Sequence, residues 1–275
     1  MSMAKERGWL IDITKCIGCR SCQVACKRWN ERPSEKTEFS ADWTNPPKLS
    51  SKTWTMVAFH LDPDGKGGNK WRFVKRQCMH CLNPPCESVC PAKAIYTRHD
   101  GVNLTHYDRC FGCHYCVISC PYGVRHYDLD AKSTVKCTMC FDRIDNGKLP
   151  ACVQACPALV MEFGTREEIV QKARARAKAI RGYVFGDEDP RPESIGTHVI
   201  YVSDVPLEKL GFPTTEQRIP TGQAFRSLLP SRLTEAVFGG TVAAVVCFIL
   251  WRRARLEKAK MEAVARESEK AGGSE

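Results

Sequence analysis

Apolar and polar positions alternate over "GWLIDI" (8–13), which predicts a short strand near the start of the chain. Two further β-type runs, "WTMVAFH" and "WRFVKR", are joined by "LDPDGKGGNK", where glycines relieve a turn, so they predict a hairpin. No Ser or Thr follows the lysine of "GKGG" into a helix, which argues against a phosphate loop. The stretch "AIYTRHDGVNLTHY" predicts a second hairpin turning at Asp100-Gly101. Residues 31–53 are polar and proline-containing and are expected to form an inserted loop. Thr165 and Glu168 have capping-box spacing, so a helix with a solvated basic face is expected to start there. "GTHVIYV" (196–202) predicts one more strand. Short strands interleaved with short helices indicate an α+β chain.

The longest apolar run, "LTEAVFGGTVAAVVCFILW" (233–251), is near the lower length limit for a membrane span. A buried core helix is the alternative. The flanks favour a span: Arg252, Arg253, Arg255, Lys258, Lys260 and Arg266 follow it, against Arg218, Arg226 and Arg232 before it. The positive-inside rule then puts the C-terminus in the cytoplasm and the preceding domain across the membrane. Cys247, inside the run, reads as an apolar filler, and "ESEKAGGSE" as a disordered tail. The start of the chain shows neither a signal-peptide apolar run nor a twin arginine, so no export signal of its own is expected.

Cysteine changes the picture most. The 275 residues contain 17 cysteines. Sixteen form four quartets: Cys16, Cys19, Cys22 and Cys26; Cys78, Cys81, Cys86 and Cys90; Cys110, Cys113, Cys116 and Cys120; Cys137, Cys140, Cys152 and Cys156. A chain this long does not need disulfides in place of a core, and cysteines two residues apart close very small loops. Zinc sites use separated ligand pairs around one ion. The run C-x2-C-x2-C-x3-C, with proline after three of the quartets, is instead the bacterial-ferredoxin spacing. Three thiolates two residues apart curl around one cubane, while the next, on a departing helical turn, reaches a neighbouring cluster.

The formal charge of +10 would by itself suggest a nucleic-acid partner. Four thiolate-bound clusters at about −2 each would lower it to about +2. Lys15, Arg20, Lys27, Arg109, Arg125, Lys136 and Arg143, all close to cysteines in sequence, then read as internal compensation, with a solvated basic surface as the alternative. His80 and His114 lie inside quartets that already have four thiolates, so supporting or surface roles are expected of them.

Two pairing schemes compete. In the nested one, residues 78–121 form a compact two-cluster unit: Cys78, Cys81, Cys86 with Cys120, and Cys110, Cys113, Cys116 with Cys90. The outer quartets pair around it: Cys16, Cys19, Cys22 with Cys156, and Cys137, Cys140, Cys152 with Cys26. Sequential pairing, first with second and third with fourth, must bridge longer segments and is the weaker option.

"LIDITKCIGCRSCQVACKRWNE", "CMHCLNPPCESVCP", "CFGCHYCVISCP" and "CTMCFDRIDNGKLPACVQACP" resemble the four-cluster subunits of molybdenum and tungsten respiratory enzymes. "KTWTMVAFH", "GTHVIYV" and the C-terminal apolar run are similar to the iron–sulfur (β) subunit of membrane-bound formate dehydrogenases of the N type. The resemblance implies four 4Fe–4S clusters, since Cys113 stands where nitrate reductase relatives have tryptophan. It implies a molybdopterin or tungstopterin catalytic partner, which would carry the export signal, and a membrane cytochrome b partner. It also implies an electron path that starts at the Cys16 cluster, passes those of quartets four and two, and ends at that of quartet three, facing a haem.

The expected architecture is α+β with two nested ferredoxin-like modules. The iron–sulfur domain spans 1–164, with an inner module at about 71–131 and an outer module joining 8–30 to 132–164. A helix–strand extension (165–230), a transmembrane helix (231–253) and a cytoplasmic tail (254–275) follow. No nucleophile–base pair or open metal site emerges, so an electron-transfer subunit is expected, in the bacterial inner membrane with its clusters on the periplasmic side. The alternatives are the same relay in a nickel–iron hydrogenase or sulfur-compound reductase, and a zinc-bearing nucleic-acid-binding module.

Overall fold

The computed structural model describes residues 6–39, 41–63, 69–188, 195–214, 240–241 and 244–255. In chain order the elements are β1 (Arg7–Asp12), α1 (Ser21–Trp29), β2 (Met56–Pro63), β3 (Asn69–Arg76), α2 (Pro85–Ser88), β4 (Ile95–Thr97), β5 (Asn103–Thr105), α3 (Tyr115–Ile118), β6 (His126–Asp128) and β7 (Ser133–Val135). Then come α4 (Phe141–Asp145), α5 (Ala151–Gln154), β8 (Met161–Thr165), α6 (Arg166–Ile180), β9 (Tyr183–Phe185) and β10 (Val199–Ser203). Residues 6–214 belong to one compact unit and 240–255 to another.

One sheet organises the first unit, in the order β8-β1-β10-β9. β1 pairs antiparallel with β8 and parallel with β10, so the predicted first and last strands lie side by side. Alternation decides what each face covers. Leu10, Ile200 and Val202 pack under α6 against Ile169, Val170, Ala173 and Ala177. Trp9, Ile11, Val199 and Tyr201 face the other way, into the core that contains Cys22, Cys26, Cys78, Cys81, Cys137 and Cys152. Both faces being covered, β10 is buried at every position. The sheet is thus the wall on which the cysteine loops rest.

α6 starts where expected. Thr165 Oγ1 accepts from the Glu168 N–H and the Glu168 carboxylate accepts from the Thr165 N–H, a complete capping box. It ends at Arg181, whose left-handed backbone (φ 51°, ψ 40°) closes the last turn.

Both predicted hairpins form. β2–β3 pairs from Met56↔Arg76 to Pro63↔Asn69, longer than the apolar runs alone indicate. β4–β5 turns through Gly101 (φ 86°), where a Cβ would meet the His198 ring at 2.0 Å. A third hairpin, β6–β7, spans the expected boundary at 131/132 between the inner and outer modules. The inserted loop contains no strand or helix among its described residues. Glu35 ties it together, accepting from Ser50 and Thr53 and pairing with Lys27 at 3.8 Å.

In the second unit residues 240–241 and 244–255 are helical, with Val245, Phe248, Ile249, Leu250 and Trp251 exposed. Residues 231–239 and 242–243 of the expected span 231–253, and all of the expected tail after 255, lie outside the described residues. Among the described residues no helix is long and apolar enough to cross a membrane.

Candidate metal centres

Each quartet begins with the same backbone device. The residue just before the second cysteine has a left-handed backbone: Gly18 (φ 68°), His80 (46°), Gly112 (76°) and Met139 (56°). That conformation turns its N–H back onto the first thiol. The His80 N–H reaches Cys78 Sγ at 3.5 Å and the Met139 N–H reaches Cys137 Sγ at 3.4 Å, while Gly18 and Gly112 serve Cys16 and Cys110 alike. At His80 and Met139, non-glycine residues hold it at a cost of about 1–2 kcal/mol each.

Each quartet then closes on a short helix with cysteines at i and i+4: Cys22 and Cys26 along α1, Cys86 and Cys90 at α2, Cys116 and Cys120 at α3, Cys152 and Cys156 at α5. Residues i and i+4 share a helix face, displaced by one turn, about 6 Å along the axis. Cys90, Cys120 and Cys156 lie two residues past the ends of α2, α3 and α5, whereas on α1 Cys26 lies on the face of Cys22, one turn further on. α1 packs against α5, and α2 against α3.

This displacement brings cysteines of different quartets together. One cavity is lined by Cys26 with Cys137, Cys140 and Cys152, and by Trp9 and Lys75. Another is lined by Cys90 with Cys110, Cys113 and Cys116. Electrostatics group the rest. Burial pushes the Cys22 thiol up to about 11, and the charges of Cys16, Cys19 and Cys156 act on it in the same sense. Burial likewise raises Cys81 well above its ordinary value, with Cys78, Cys86 and Cys120 adding to it. Three thiol pairs couple one group to the next: Cys22 with Cys152, Cys78 with Cys137, and Cys86 with Cys116.

The donor set suits iron–sulfur cubanes. All seventeen cysteines are free thiols, so none is spent in a disulfide. Among the described residues no three His, Cys, Asp or Glu side chains converge on a single-ion point. Tetrahedral zinc would need sulfurs about 3.8 Å apart, from Zn–S bonds of about 2.3 Å. The cavities also hold groups that lack a protein partner: Trp9 Nε1 lines the Cys26 cavity, is buried, and has no acceptor among the described residues.

The basic residues near the cysteines divide. Lys15 and Arg109 are exposed, Arg20 and Lys27 half-buried, and Arg143, Lys136 and Arg125 buried. Arg143 Nε donates to the Leu149 carbonyl and its guanidinium stacks on Trp29, a structural role. Sequence reasoning missed two residues, Lys75 and Asn103. Lys75, on β3, is only 2% exposed and lies over the Trp9 ring at 4.3 Å. Its proximity to Cys78 was the available signal. Asn103 is a junction: its Oδ1 accepts from Arg125 (2.8 Å), its carbonyl from Lys136, and its N–H donates to His80 Nδ1 (3.1 Å).

His80 is fully buried. Burial, then the charge of Lys136, holds it neutral, well below the ordinary histidine range. Its carbonyl contacts His198 Nδ1 at 2.6 Å. His114 packs on Tyr127 with ring centroids 4.6 Å apart. Each sits among its neighbours as a supporting group.

Family models described as 4Fe–4S dicluster domains match residues 15–94 and 69–166. The chain is 35% identical over 244 residues to the nitrate-inducible formate dehydrogenase iron–sulfur subunit of Escherichia coli, covering 86% of this chain and 82% of that protein. It is 35% identical over 249 residues to the formate dehydrogenase-O iron–sulfur subunit of the same species (88% and 82%). With the hydrogenase-2 operon protein HybA of Shigella flexneri it shares 33% over 245 residues (75% and 72%). The two matches overlap over 69–94, and together they span all four quartets, with Cys247 outside both. The chain therefore belongs to the family of formate dehydrogenase iron–sulfur subunits, and its role is electron transfer through 4Fe–4S clusters.

Proposed function

We propose that the chain relays electrons from a formate-oxidising molybdenum or tungsten subunit to a membrane cytochrome b and quinone. Four clusters would be held in the nested arrangement: Cys16, Cys19, Cys22, Cys156; then Cys26, Cys137, Cys140, Cys152; then Cys78, Cys81, Cys86, Cys120; then Cys90, Cys110, Cys113, Cys116. The observation that carries this reading is the grouping of cysteines across quartets, with Cys26 lining the cavity of quartet four and Cys90 that of quartet three. The packing of α1 on α5 and of α2 on α3 supports it as well. The couplings Cys22–Cys152, Cys78–Cys137 and Cys86–Cys116 favour a single file in that order.

When bound, each cluster accepts and releases one electron without a change of ligands. The chain's own work is to hold the thiolates, donate backbone N–H groups to their sulfurs, exclude water and supply compensating charge. Cys19, at the first group, is exposed. The catalytic partner is placed at that end, and the haem partner at the Cys113 end.

A transmembrane helix over 231–253, with the clusters in the periplasm and 254–275 in the cytoplasm, completes the proposal on the charge asymmetry of its flanks. The test is formate added anaerobically to the purified native complex, without dithionite. Formate-driven bleaching of the broad visible absorption supports the assignment. Bleaching by hydrogen but not formate overturns it in favour of the hydrogenase relay.

A further inference from the structure

Three cations are buried among the cysteine groups: Lys75 (2% exposed), Lys136 (3%) and Arg125 (1%). Several basic side chains of this fold meet carboxylates, as Arg72 and Lys70 do at Asp204 or Arg176 at Asp12, while Arg143 and Arg76 bond to backbone carbonyls away from the cysteine cavities. Lys75, Lys136 and Arg125 meet no carboxylate: no ion pair among the described residues includes them. Their hydrogen-bond partners are neutral. Lys75 Nζ donates to Gln77 Oε1 (2.8 Å), and Gln77 Nε2 in turn donates to Tyr201 Oη (2.9 Å). Lys136 Nζ donates to the carbonyls of Asn103 and Cys137. Arg125 donates to Asn103 Oδ1 (2.8 Å) and Thr105 Oγ1 (3.1 Å), leaving its Nε unpartnered. An ammonium has three donors and a guanidinium five, so each cation keeps donors in hand. A buried charge without a counter-ion is strongly destabilising, which implies that the counter-charge lies in the neighbouring thiolate groups.

Their positions are regular. Lys75 lines the Cys26 cavity and acts on Cys16 and Cys22 of the first group as well as Cys137 and Cys152 of the second. Lys136 is bonded to the Cys137 carbonyl on one side and acts on Cys81 of the third group on the other. Arg125 acts on Cys78 and Cys86 of the third group and on Cys116 of the fourth. Four groups in file have three junctions, and each junction holds one cation.

We propose that Lys75, Lys136 and Arg125 are junction counter-ions, each raising the reduction potentials of the two clusters it separates. The proposal rests on the four-cluster reading above. The role is electrostatic: no bond forms or breaks and no proton moves. A fixed positive charge between two sites stabilises an electron on either, and so limits the repulsion between electrons following one another along the file. These are positioning residues, and none needs to touch a substrate.

The test is a redox titration of the native complex followed by EPR, with iron content measured on the same samples. In Lys75→Met the first and second clusters should shift to more negative potential. Their oxidised-to-reduced ratio at fixed potential should rise at least tenfold, or 59 mV for a one-electron couple, with the third and fourth unmoved. Lys136→Met should shift the second and third, and Arg125→Met the third and fourth. Lys75→Arg, which keeps the charge, should leave the potentials near wild type. Lys75→Gln retains N–H donors without charge, so it should behave as Lys75→Met does and provides the same reading if the methionine variant loses iron. Unmoved potentials at full iron content overturn the proposal, as does an equal shift at all four clusters. Fewer than four clusters in the wild-type complex would overturn the underlying reading instead.

Discussion

Cys26 separates the nested arrangement from its rivals. It is 6% exposed, in the last turn of α1, and Asn30, just past the helix end, donates to its carbonyl at 2.9 Å. The cavity it shares with Cys137, Cys140 and Cys152 has no Asp, Glu or His in its lining to replace a lost thiolate. Cys26→Ala should therefore remove one whole cluster, about four of about sixteen irons. Cys22→Ala should remove a different cluster, again about four. Double variants make the test decisive, because changes within one unit fail to add while changes in separate units do add. Cys26→Ala with Cys152→Ala should still lose about four irons, whereas Cys26→Ala with Cys22→Ala should lose about eight. The assay is iron and labile sulfide per polypeptide in anaerobically purified complex, with EPR of the reduced protein identifying the missing signal. A loss of about eight irons from the Cys26/Cys152 pair would mean that the two thiols serve different clusters, against the nested arrangement.

Two smaller predictions concern the scaffold. Arg181 ends α6 in a left-handed conformation that glycine adopts without strain, so Arg181→Gly should stabilise the last turn by about 1 kcal/mol. Hydrogen exchange of the α6 C-terminal amides should slow, and faster exchange would contradict this. Asp204 is lowered to about 2: burial works to raise it, but bonds from Arg72 and Lys70 prevail. A depressed carboxyl stabilises the fold above its unfolded value of about 4, and that contribution disappears as pH falls from about 4 to 2. The shift alone would be worth about 2.5 kcal/mol, or about 1 after discounting for solvent screening. Asp204→Asn should speed exchange of β2–β3 amides several-fold at neutral pH and remove the wild type's acid-dependent increase; an unchanged pH profile would contradict the assignment.

What could be read from the chain alone follows from how local each signal is. The capping box at Thr165 and the turn at Asp100-Gly101 are decided by residues within a few positions, and both form as expected. The hairpin β6–β7 escaped notice because its three-residue strands carry Asp128 and Ser133, leaving too short an apolar alternation to count. β9 is as short, and β8, though five residues long, pairs with β1, which is distant in sequence. α2, α3 and α5 are single turns of four residues, too short for any helical period. The cysteines were legible because their spacing is itself the chemistry. Lys75 was not, since a lysine in an alternating strand ordinarily faces water. Here Lys75 lines the Cys26 cavity, and Trp9 and Gln77 hold its ammonium inside. The spacing of Cys22 and Cys26 already led to the expectation that they serve different clusters, and the packing of α1 on α5 supplies what spacing does not, the neighbours of Cys26: Cys137, Cys140 and Cys152.

In the proposed arrangement sixteen thiolates, all but that of Cys19 buried or half-buried, hold four iron cubes in single file. Mössbauer spectroscopy of 57Fe-enriched native complex, calibrated by iron per polypeptide of this chain, tests it most directly. About sixteen irons are expected, all in 4Fe–4S environments that reduce in one-electron steps. Twelve or fewer, or iron in isolated tetrahedral thiolate sites, would contradict it.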